Sequence, residues 1–493
     1  MSGRFVFVNL SVKCGFNTGI NHGIAYLVPV ARRHGYDVVC LNVRDEISPV
    51  EFVEKVRALN PGIVAFSCTS QQFKYLMPYS SELSKQTQVL QIAGGVGPTL
   101  EPDRVLLQSG VNGVCTGEGE VPLDALLKNI EEGVDPAMTP GFCWVRNGTI
   151  KRNSVPQYVD DLSVLDFPDY SIFDRSLVAG ETVSLKVMIS RGCPYSCHYC
   201  CNRVLSCVYP SSKGYFRKPS VEHSVQLLKK LTETYPEAKF IDFEDDLLIA
   251  DKPWFEKFAD QYREQIGLPY RACVRIECIN EEIADKLKTS GCVSAYMGLE
   301  SGNEKLRADV LNRKYSNDMV IEKAKMIKDA GLKLFTFNIV GLPFEGRKEM
   351  MDTLRLNQRI VPDAGICTFF YPFRGTELYR VCEQNDLLRS EAEMAEITNY
   401  NSRPALRMTP AQERRCIYFK NRILNYLNRY SIEAEIAGKV SHLPYGVKRS
   451  LLGVCYKVRF RLSNYPLVFE ILRKCYKFLG VKAVVKLMGE GRR

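Results

Sequence analysis

The sequence lacks several features that would assign it to a particular class of protein. No run of 18 apolar residues occurs, so no membrane-spanning helix is predicted. The opening MSGRFVFVNLSVKCG shows no apolar core followed by a cleavage site, and we therefore expect a cytoplasmic protein. There is no internal repeat and no low-complexity tract. Histidine is scarce, with five residues among 493, so few imidazole ligands are available.

Cysteine, in contrast, is abundant. Eighteen cysteines in a chain without an export signal indicate a reducing compartment, where thiols are buried hydrophobes, metal ligands or redox groups rather than disulfides. Hydrophobic residues make up 45% and charged residues 25% of the chain, as is typical of a folded globular protein. A chain of this length exceeds what one core organises, so two or three domains are expected.

Positive charge is concentrated at the end of the chain. Residues 412–493 carry 18 Lys and Arg against 5 Asp and Glu, whereas the whole chain has a net charge of +10. Apolar residues at helical spacing in 447–462 and 468–479 predict amphipathic helices with a basic face. We expect a helical segment packed on the preceding domain. The alternatives are peripheral docking on the inner membrane face and contact with a phosphate-bearing substrate or nucleic acid, for which no motif is present.

Two series of apolar runs alternating with helix-length amphipathic segments divide the chain. Residues 1–143 hold five such units and predict an α/β domain with a doubly wound parallel sheet. Residues 144–183 contain an Asn-Gly hairpin signal and a polar, Pro-punctuated stretch, and are predicted to be a linker. Residues 184–388 hold six units and predict a partial α/β barrel. Residues 389–493 are predicted to form a basic helical C-terminal domain.

The strongest motif is a group of three cysteines directly after the first apolar run of the second series. Cys193, Cys197 and Cys200 stand in a C-x3-C-x2-C arrangement, for which this composition gives roughly 0.025 chance occurrences. Three thiolates on one loop can bind three irons of a four-iron cluster and leave the fourth iron open. The alternative is a zinc site, which needs a fourth ligand such as His198 or Cys201.

This loop resembles the cluster motif of radical S-adenosylmethionine (SAM) enzymes. The resemblance covers most of residues 184–388, because FEDD, MGLESG, NIVGLPFEG and FYPFRGTEL follow later strands, where a barrel places its active site. It implies a 4Fe-4S cluster and a SAM molecule that chelates the open iron. It also implies a low-potential electron donor, such as flavodoxin or ferredoxin, whose electron breaks the sulfonium bond of SAM to yield a 5'-deoxyadenosyl radical.

Three carboxylates are the catalytic candidates that this resemblance implies. Glu300 is our candidate for binding the SAM amine, and Asp245 and Asp246 are the next candidates. For each of them the alternative is a structural ion pair at the barrel rim, because such pairs are common there.

The resemblance implies further contacts to SAM. Tyr199 and the backbone at Gly341 would contact the adenine, and Arg313 would face the carboxylate. Cys201 and Cys207 are expected to be bystanders rather than cluster ligands.

Glycines follow two strands of the first series, in IAGGVGPT and TGEGE, where a planar ligand could lie close to the backbone. These segments resemble the flavodoxin-like cobalamin-binding domain that precedes the barrel in the cobalamin-dependent branch of radical SAM enzymes. The residues that the resemblance places against cobalamin are Ser67, Thr69, Gly94, Gly95, Gly117 and Glu118.

One departure concerns the lower face of cobalt. Cobalamin domains that ligate cobalt through imidazole carry D-x-H-x-x-G after the first strand, whereas residues 9–14 here are NLSVKC. The nearest histidine, His22, is expected to be a capping or packing residue. The resemblance therefore implies a cobalt that is five-coordinate or bears water below.

The sequence thus predicts a cobalamin-dependent radical SAM enzyme. We expect a methyltransferase that uses methylcobalamin to methylate an unactivated carbon of a small-molecule or lipid-like substrate. One alternative is a methylthiotransferase-like enzyme with an auxiliary cluster on Cys14, Cys40 and Cys68. A cyclase or rearrangement enzyme and a non-catalytic cobalamin or iron-sulfur sensor are the others.

Overall fold

Two largely parallel sheets organise the part of the chain that the computed structural model describes, which is residues 3–12, 20–180 and 184–428. The first sheet has seven strands and the second has six. Apolar residues of both sheets belong to one continuous core, joined by linker side chains such as Tyr170 and Phe173. The two domains are therefore packed against each other rather than tethered.

The first sheet contains strands β1 Arg4–Leu10, β2 Val38–Val43, β3 Pro61–Ser67, β4 Leu90–Gly94, β5 Gly113–Cys115, β6 Phe142–Arg146 and β7 Thr149–Arg152. Its helices are α1 His22–Arg33, α2 Pro49–Ala58, α3 Phe73–Gln86, α4 Val96–Leu100, α5 Pro102–Gln108 and α6 Glu120–Glu131. The strand order is β2-β1-β3-β4-β5-β6-β7, with β1 to β5 parallel. The apolar run of β1 is buried on both faces, as parallel strands require. This order confirms the predicted doubly wound sheet.

The first sheet extends beyond the predicted boundary at residue 143, which falls inside β6. Strands β6 and β7 form an antiparallel hairpin through Asn147 and Gly148, both with positive φ, and β6 pairs with β5. The Asn-Gly signal predicted the hairpin correctly, but local sequence does not show which sheet a hairpin joins. The connecting segment begins after Arg152 and continues as short helical turns to residue 180.

The second sheet contains strands β8 Ser184–Val187, β9 Phe240–Phe243, β10 Tyr270–Val274, β11 Cys292–Glu300, β12 Lys333–Val340 and β13 Ala364–Phe369. The helices of this part are α7 Cys201–Ser206, α8 Val221–Thr234, α9 Lys252–Gln265, α10 Glu281–Thr289, α11 Glu304–Asp309, α12 Asn317–Asp329, α13 Arg347–Ile360 and α14 Glu377–Gln384. All six strands are parallel and neighbours in chain order, which confirms the predicted open barrel. In β12, buried residues that face the helices alternate with half-buried residues on the concave face.

The chain after residue 388 continues with α15 Glu391–Ala395 and α16 Pro410–Leu427. Helix α16 packs on β13 and α13, where Cys416, Phe419 and Ile423 share a core with Val340 and Phe369. This part of the predicted C-terminal domain thus completes the barrel core. The basic segments 447–462 and 468–479 lie outside the described residues. Within the described ranges, no helix is both long and apolar enough to cross a bilayer.

Candidate active site

A cavity of about 390 Å³ lies between the carboxyl ends of the first sheet and the start of the cysteine loop. The residues predicted to contact cobalamin all line it: Ser67, Thr69, Gly94, Gly95, Gly117 and Glu118. From the second domain, Arg191, Gly192 and Asp246 contribute to the same lining. The cavity also reaches into the first domain beside the sheet, where its walls include Phe5, Phe7, Leu27, Ile92, Leu123 and Phe142. It combines an apolar interior with polar loops at its mouth.

The shape of this cavity depends on glycine. Gly95 has φ +91°, and a Cβ there would lie 3.1 Å from Ser67 Oγ. Gly117 has φ +88°, and its Cβ would lie 2.7 Å from the hydroxyl of Tyr209. Thr69 Oγ1 is buried and has no hydrogen-bond partner among the described residues. The loops therefore leave room for a ligand close to the backbone and present a polar atom to it, which fits a cobalamin with its amide-bearing rim.

The three motif cysteines lie on the loop between β8 and α7. Arg275 Nη1 donates to Cys197 Sγ at 3.0 Å, and its guanidinium lies 3.6 Å from the centre of the Tyr195 ring. Burial raises the pKa of the Cys193 thiol to about 12, so a thiolate there needs a cationic partner such as iron. Within the described ranges, no three His, Cys, Asp or Glu side chains are arranged to hold a single metal ion. The donor set fits the predicted cluster.

The structure brings Glu300, Arg313 and Tyr199 together beside the cysteine loop. Arg313 Nη1 donates to Glu300 Oε1 at 2.9 Å and to the Tyr199 hydroxyl at 3.0 Å. Burial raises the pKa of Glu300, while the positive charge of Arg313 opposes that rise. Glu300 has φ +62°, and a Cβ at Gly298 would lie 2.5 Å from its Oε1, so only glycine leaves room for this carboxylate. The structure thus contains the ion pair that the sequence left open as the alternative for Glu300, and its partner is Arg313, itself a predicted SAM contact.

The two aspartates have different surroundings. Asp245 is buried, and its carboxylate accepts hydrogen bonds from the backbone of Ile189 and from both the backbone and the hydroxyl of Ser190. It therefore holds the chain that enters the cysteine loop. Asp246 accepts one hydrogen bond from Asn202 Nδ2 at 2.9 Å and lines the cavity. Of the pair, Asp246 is the one that faces the site.

Gly341 lies at the end of β12, where Glu345 organises the backbone. The N–H groups of Gly341 and Leu342 donate to Glu345 Oε2 at 2.6 and 3.2 Å. Glu345 Oε1 is buried with no partner among the described residues, and burial raises the pKa of this carboxyl to about 8. Leu342, which follows Gly341, belongs to an apolar cluster against which Tyr199 also packs.

Glu345 should make the stability of the protein depend on pH. Above its ordinary pKa of 4.5 the unfolded chain releases a proton that the folded protein keeps until about pH 8, so stability falls as pH rises through this range. Glutamine does not titrate, so we expect the free energy of unfolding of Glu345→Gln, relative to that of the wild type, to rise by up to about 1 kcal/mol per pH unit in this range. Urea unfolding of both proteins at about pH 5 and about pH 8 measures the difference. A difference that does not change with pH would contradict this prediction.

His22, which we expected to be a capping or packing residue, does not cap α1 but lies in the contact between the two domains. The cap of α1 is Asn21, whose side chain accepts from the N–H of Ile24. His22 Nδ1 is 2.7 Å from the hydroxyl of Tyr170, and Nε2 is 3.0 Å from Glu244 Oε2. Both ring nitrogens are thus engaged in contacts that join the first domain to the linker and the barrel.

Two of the cysteines of the auxiliary-cluster alternative lie on opposite faces of the first sheet. Cys40 is on β2 and packs against the core shared with the barrel, whereas Cys68 follows β3 in the core on the other face. Burial raises the pKa of Cys40 to about 12. The two thiols cannot bind one cluster, and Cys14 lies outside the described residues.

Several residues of the site were missed by the sequence reasoning. Arg191 and Arg217, from the second domain, form ion pairs with Glu118 and Glu120 of the first domain. The one local signal was the position of Arg191, two residues before Cys193. Nothing in the linear sequence relates it to a glutamate 73 residues earlier.

Comparison with known proteins identifies both domains. The radical SAM superfamily model matches residues 187–356, and the B12 binding domain model matches residues 11–127. The two matches together cover more than half of the 493 residues. The chain therefore contains a radical SAM domain preceded by a B12-binding domain, as the cysteine and glycine motifs predicted. Its cofactors are a 4Fe-4S cluster, SAM and cobalamin.

Similar proteins include characterised and uncharacterised members. An uncharacterized methyltransferase of Pyrococcus horikoshii is 24% identical over 380 residues, which are 75% of this chain and 80% of that protein. The anaerobic magnesium-protoporphyrin IX monomethyl ester cyclase of Cereibacter sphaeroides is 23% identical over 77% of this chain and 62% of its own length. The radical SAM methyltransferase TsrM of Kitasatospora setae, solved with cobalamin and a 4Fe-4S cluster, has a TM-score of 0.62 at 15% identity over 79% of each chain. The last likeness confirms the fold.

Proposed function

We propose that the protein is a cobalamin-dependent radical SAM methyltransferase that methylates an unactivated carbon of a small molecule. One observation carries the proposal: a single cavity is lined by the glycine loops of the first domain and by Arg191 and Gly192, which adjoin Cys193. When bound, cobalamin supplies a methyl group, and the cluster with SAM supplies the radical that removes a substrate hydrogen. The similarity to the methyltransferase of Pyrococcus horikoshii supports this assignment.

The residues of the site have distinct tasks in this proposal. Glu300 opposes the ammonium group of SAM, and Arg313, already paired with Glu300, faces the SAM carboxylate. Tyr199 and the backbone at Gly341 border the adenine. Thr69 offers a buried hydroxyl to an amide of cobalamin. These groups bind and orient the two cofactors, and the cavity walls exclude bulk water from the reacting atoms.

The substrate in this proposal has a flat apolar part. On the concave face of the barrel, the half-buried rings of Tyr296 and Phe335 stack with centres 4.2 Å apart, and Phe337 lies 5.5 Å from Phe335. These side chains stand on adjacent strands below Glu300. The guanidinium of Arg271 lies 4.5 Å from the centre of the Tyr296 ring, so the surface combines aromatic rings with a cation, and it suits a planar or conjugated molecule.

The alternatives are distinguished by what the structure places together. An auxiliary cluster is disfavoured because Cys40 and Cys68 lie on opposite faces of the sheet. A cyclase would use the same cofactors and differ in the fate of the substrate radical. The similarity to the cyclase of Cereibacter sphaeroides supports this alternative. In either case we propose a low-potential donor such as flavodoxin or ferredoxin as the electron source for the cluster.

Methyl-labelled SAM tests the proposed function. The protein is purified without oxygen, loaded with cobalamin and iron-sulfur cluster, and incubated with planar candidate substrates and a low-potential reductant. We expect label in the product, with S-adenosylhomocysteine and 5'-deoxyadenosine formed in equal amounts, and neither the labelled product nor 5'-deoxyadenosine from Cys193→Ala. Product formation without label, accompanied by deoxyadenosine alone, would replace methylation by cyclisation or rearrangement.

We also expect no protein imidazole on cobalt. Among the described residues, His22 is the histidine that lines the cavity, and both of its nitrogens are engaged by Tyr170 and Glu244. Electron spin resonance of the bound cob(II)alamin should therefore show no hyperfine splitting from a histidine nitrogen, and any axial nitrogen signal should be that of the dimethylbenzimidazole of cobalamin and persist in His22→Gln. An axial nitrogen signal that disappears in His22→Gln would contradict this expectation.

A further inference from the structure

Two arginines of the barrel form ion pairs with residues 117–120 of the first domain, which we call the cobalamin loop. Arg191 Nη1 donates to Glu118 Oε2 at 3.0 Å, and its Nη2 donates to Glu120 Oε1 at 2.5 Å. Arg217 also pairs with Glu118 and is 4% exposed at its side chain. Because one planar guanidinium reaches two carboxylates, Arg191 fixes the orientation of the loop as well as its distance.

Backbone contacts lock this group of charges in place. The backbone N–H groups of Arg191 and Arg217 each donate to the other residue's carbonyl, at 2.8 and 2.9 Å. The N–H of Glu118 donates to the hydroxyl of Tyr209 at 2.7 Å. The guanidinium of Arg191 also lies 4.6 Å from the ring centre of Tyr26 on α1. The loop is thus held by side chains and by main chain at once.

The chain that connects the two proposed cofactor sites is short. Gly117, which lines the cobalamin cavity, precedes Glu118, and Arg191 stands two residues before the cluster residue Cys193. Between them, Gly192 has φ +79°, and a Cβ there would lie 2.5 Å from the carbonyl oxygen of Tyr215. A side chain at this position would therefore clash with Tyr215. Only residues 191–193 connect the ion pairs of the cobalamin loop to the first cysteine of the loop 193–200, which we call the cluster loop.

We propose that Arg191 is a positioning residue that ties the cobalamin loop to the cluster loop and so sets the separation between cobalt and the iron-sulfur cluster. The ion pairs contribute little net free energy of folding, because the attraction within a buried ion pair is largely offset by the desolvation of its members. Their main effect in this proposal is to fix the position of the cobalamin loop. A displacement of about 1 Å between reacting groups can cost about 10²-fold in rate, so a rigid tie at this point matters for any reaction that uses both cofactors. The proposal does not depend on which reaction that is.

The experiment uses Arg191→Met and the double variant Arg191→Met/Glu120→Gln. Methionine replaces the aliphatic part of the side chain without the guanidinium fork, and the second substitution neutralises the carboxylate that the first leaves buried and unpaired. Lys74→Gln is the matched control, since Lys74 also makes an ion pair between the first domain and the distal part of the chain, with Glu396 at 2.9 Å, but at an exposed site.

The readout is the enhancement of electron spin relaxation of cob(II)alamin by the reduced cluster in the fully loaded protein without SAM. This enhancement falls with the sixth power of the separation, so a small increase in the separation lowers it measurably. We expect that loss in both Arg191 variants and wild-type values in Lys74→Gln. The thermal stability of the double variant should be closer to wild type than that of Arg191→Met, so that the loss does not follow stability.

Three results would overturn the proposal. Wild-type relaxation in both loaded Arg191 variants would mean that the tie does not set the separation. A change in Arg191→Met that disappears in the double variant would mean that the stranded charge of Glu120, and not the missing tie, was responsible. Failure of the double variant to load either cofactor would make Arg191 part of one cofactor site rather than a tie between two. If Arg191→Met does not bind both cofactors, the relaxation measured in the double variant tests the proposal.

Discussion

Replacing any one of Cys193, Cys197 and Cys200 by alanine should abolish the iron-sulfur cluster. Each thiolate holds one iron, and two thiolates do not retain a four-iron cluster. The structure adds that Arg275 Nη1 donates to Cys197 Sγ, so loss of that thiol removes one partner of a buried guanidinium that otherwise pairs with Glu277. Iron content and visible absorption of anaerobically reconstituted protein measure the effect, which should be complete in all three variants.

Cys207→Ala is the matched control for these variants. Cys207 follows α7 at the end of the same segment, and its thiol is exposed. We expect it to keep the iron, as Cys201→Ala should. Full iron content in all three motif variants would remove the cluster assignment, and with it the proposed chemistry.

Glu300→Gln should weaken SAM binding by about 1–3 kcal/mol, the range for a charge-assisted hydrogen bond, or roughly 5- to 150-fold in Kd. The substitution keeps the size of the side chain but removes the charge that opposes the SAM ammonium. Since Glu300 lies in the second domain and the cobalamin loops lie in the first, cobalamin and iron contents should not change. Equilibrium dialysis against SAM, with both contents measured in parallel, tests this expectation.

The ion pair seen in the structure makes a control necessary for this variant. Without Glu300, the buried Arg313 loses its partner, and breaking a buried pair destabilises a fold by about 3–5 kcal/mol. Asp242→Asn is the matched control, because Asp242 is also a buried carboxylate paired with an arginine, Arg271, on the same sheet. It should lower stability without lowering SAM affinity. SAM affinity of Glu300→Gln at the wild-type level would make Glu300 a structural residue, and Asp246, which faces the cavity, would become the better candidate.

The elements of both sheets could be predicted because their signals are local. Runs such as FVFVNL and LKLFTFNIVG are apolar over the length of a strand, and the segments between them repeat at helical spacing, so each element is specified within about ten residues. The three cysteines are equally local, since ligands on one loop need no long-range contact to be recognised. The glycine loops followed from the same logic, because parallel strands deliver their carboxyl ends to one edge.

Long-range placement could not be predicted in the same way. The β6–β7 hairpin joins the first sheet because an edge of β5 was available, and α16 joins the barrel because its apolar side covers β13. Glu300 was chosen for its position after a strand, whereas its ion pair with Arg313 depends on how the following segment folds back. Each of these outcomes is settled by which surfaces remain uncovered once the sheets have formed.

By itself, the sequence determined the two-sheet α/β architecture and singled out the three cysteines that we propose as cluster ligands. It also singled out six residues that the structure places along one cavity. Only the tertiary structure decided that Asp245 binds the backbone before the cluster loop while Asp246 faces the cavity, although the two are adjacent in the chain. It alone brought Arg191 to Glu118 across 73 residues. The physical reason is that secondary structure and ligand spacing depend on neighbours along the chain, whereas the partner of a buried charge depends on which distant groups are desolvated together.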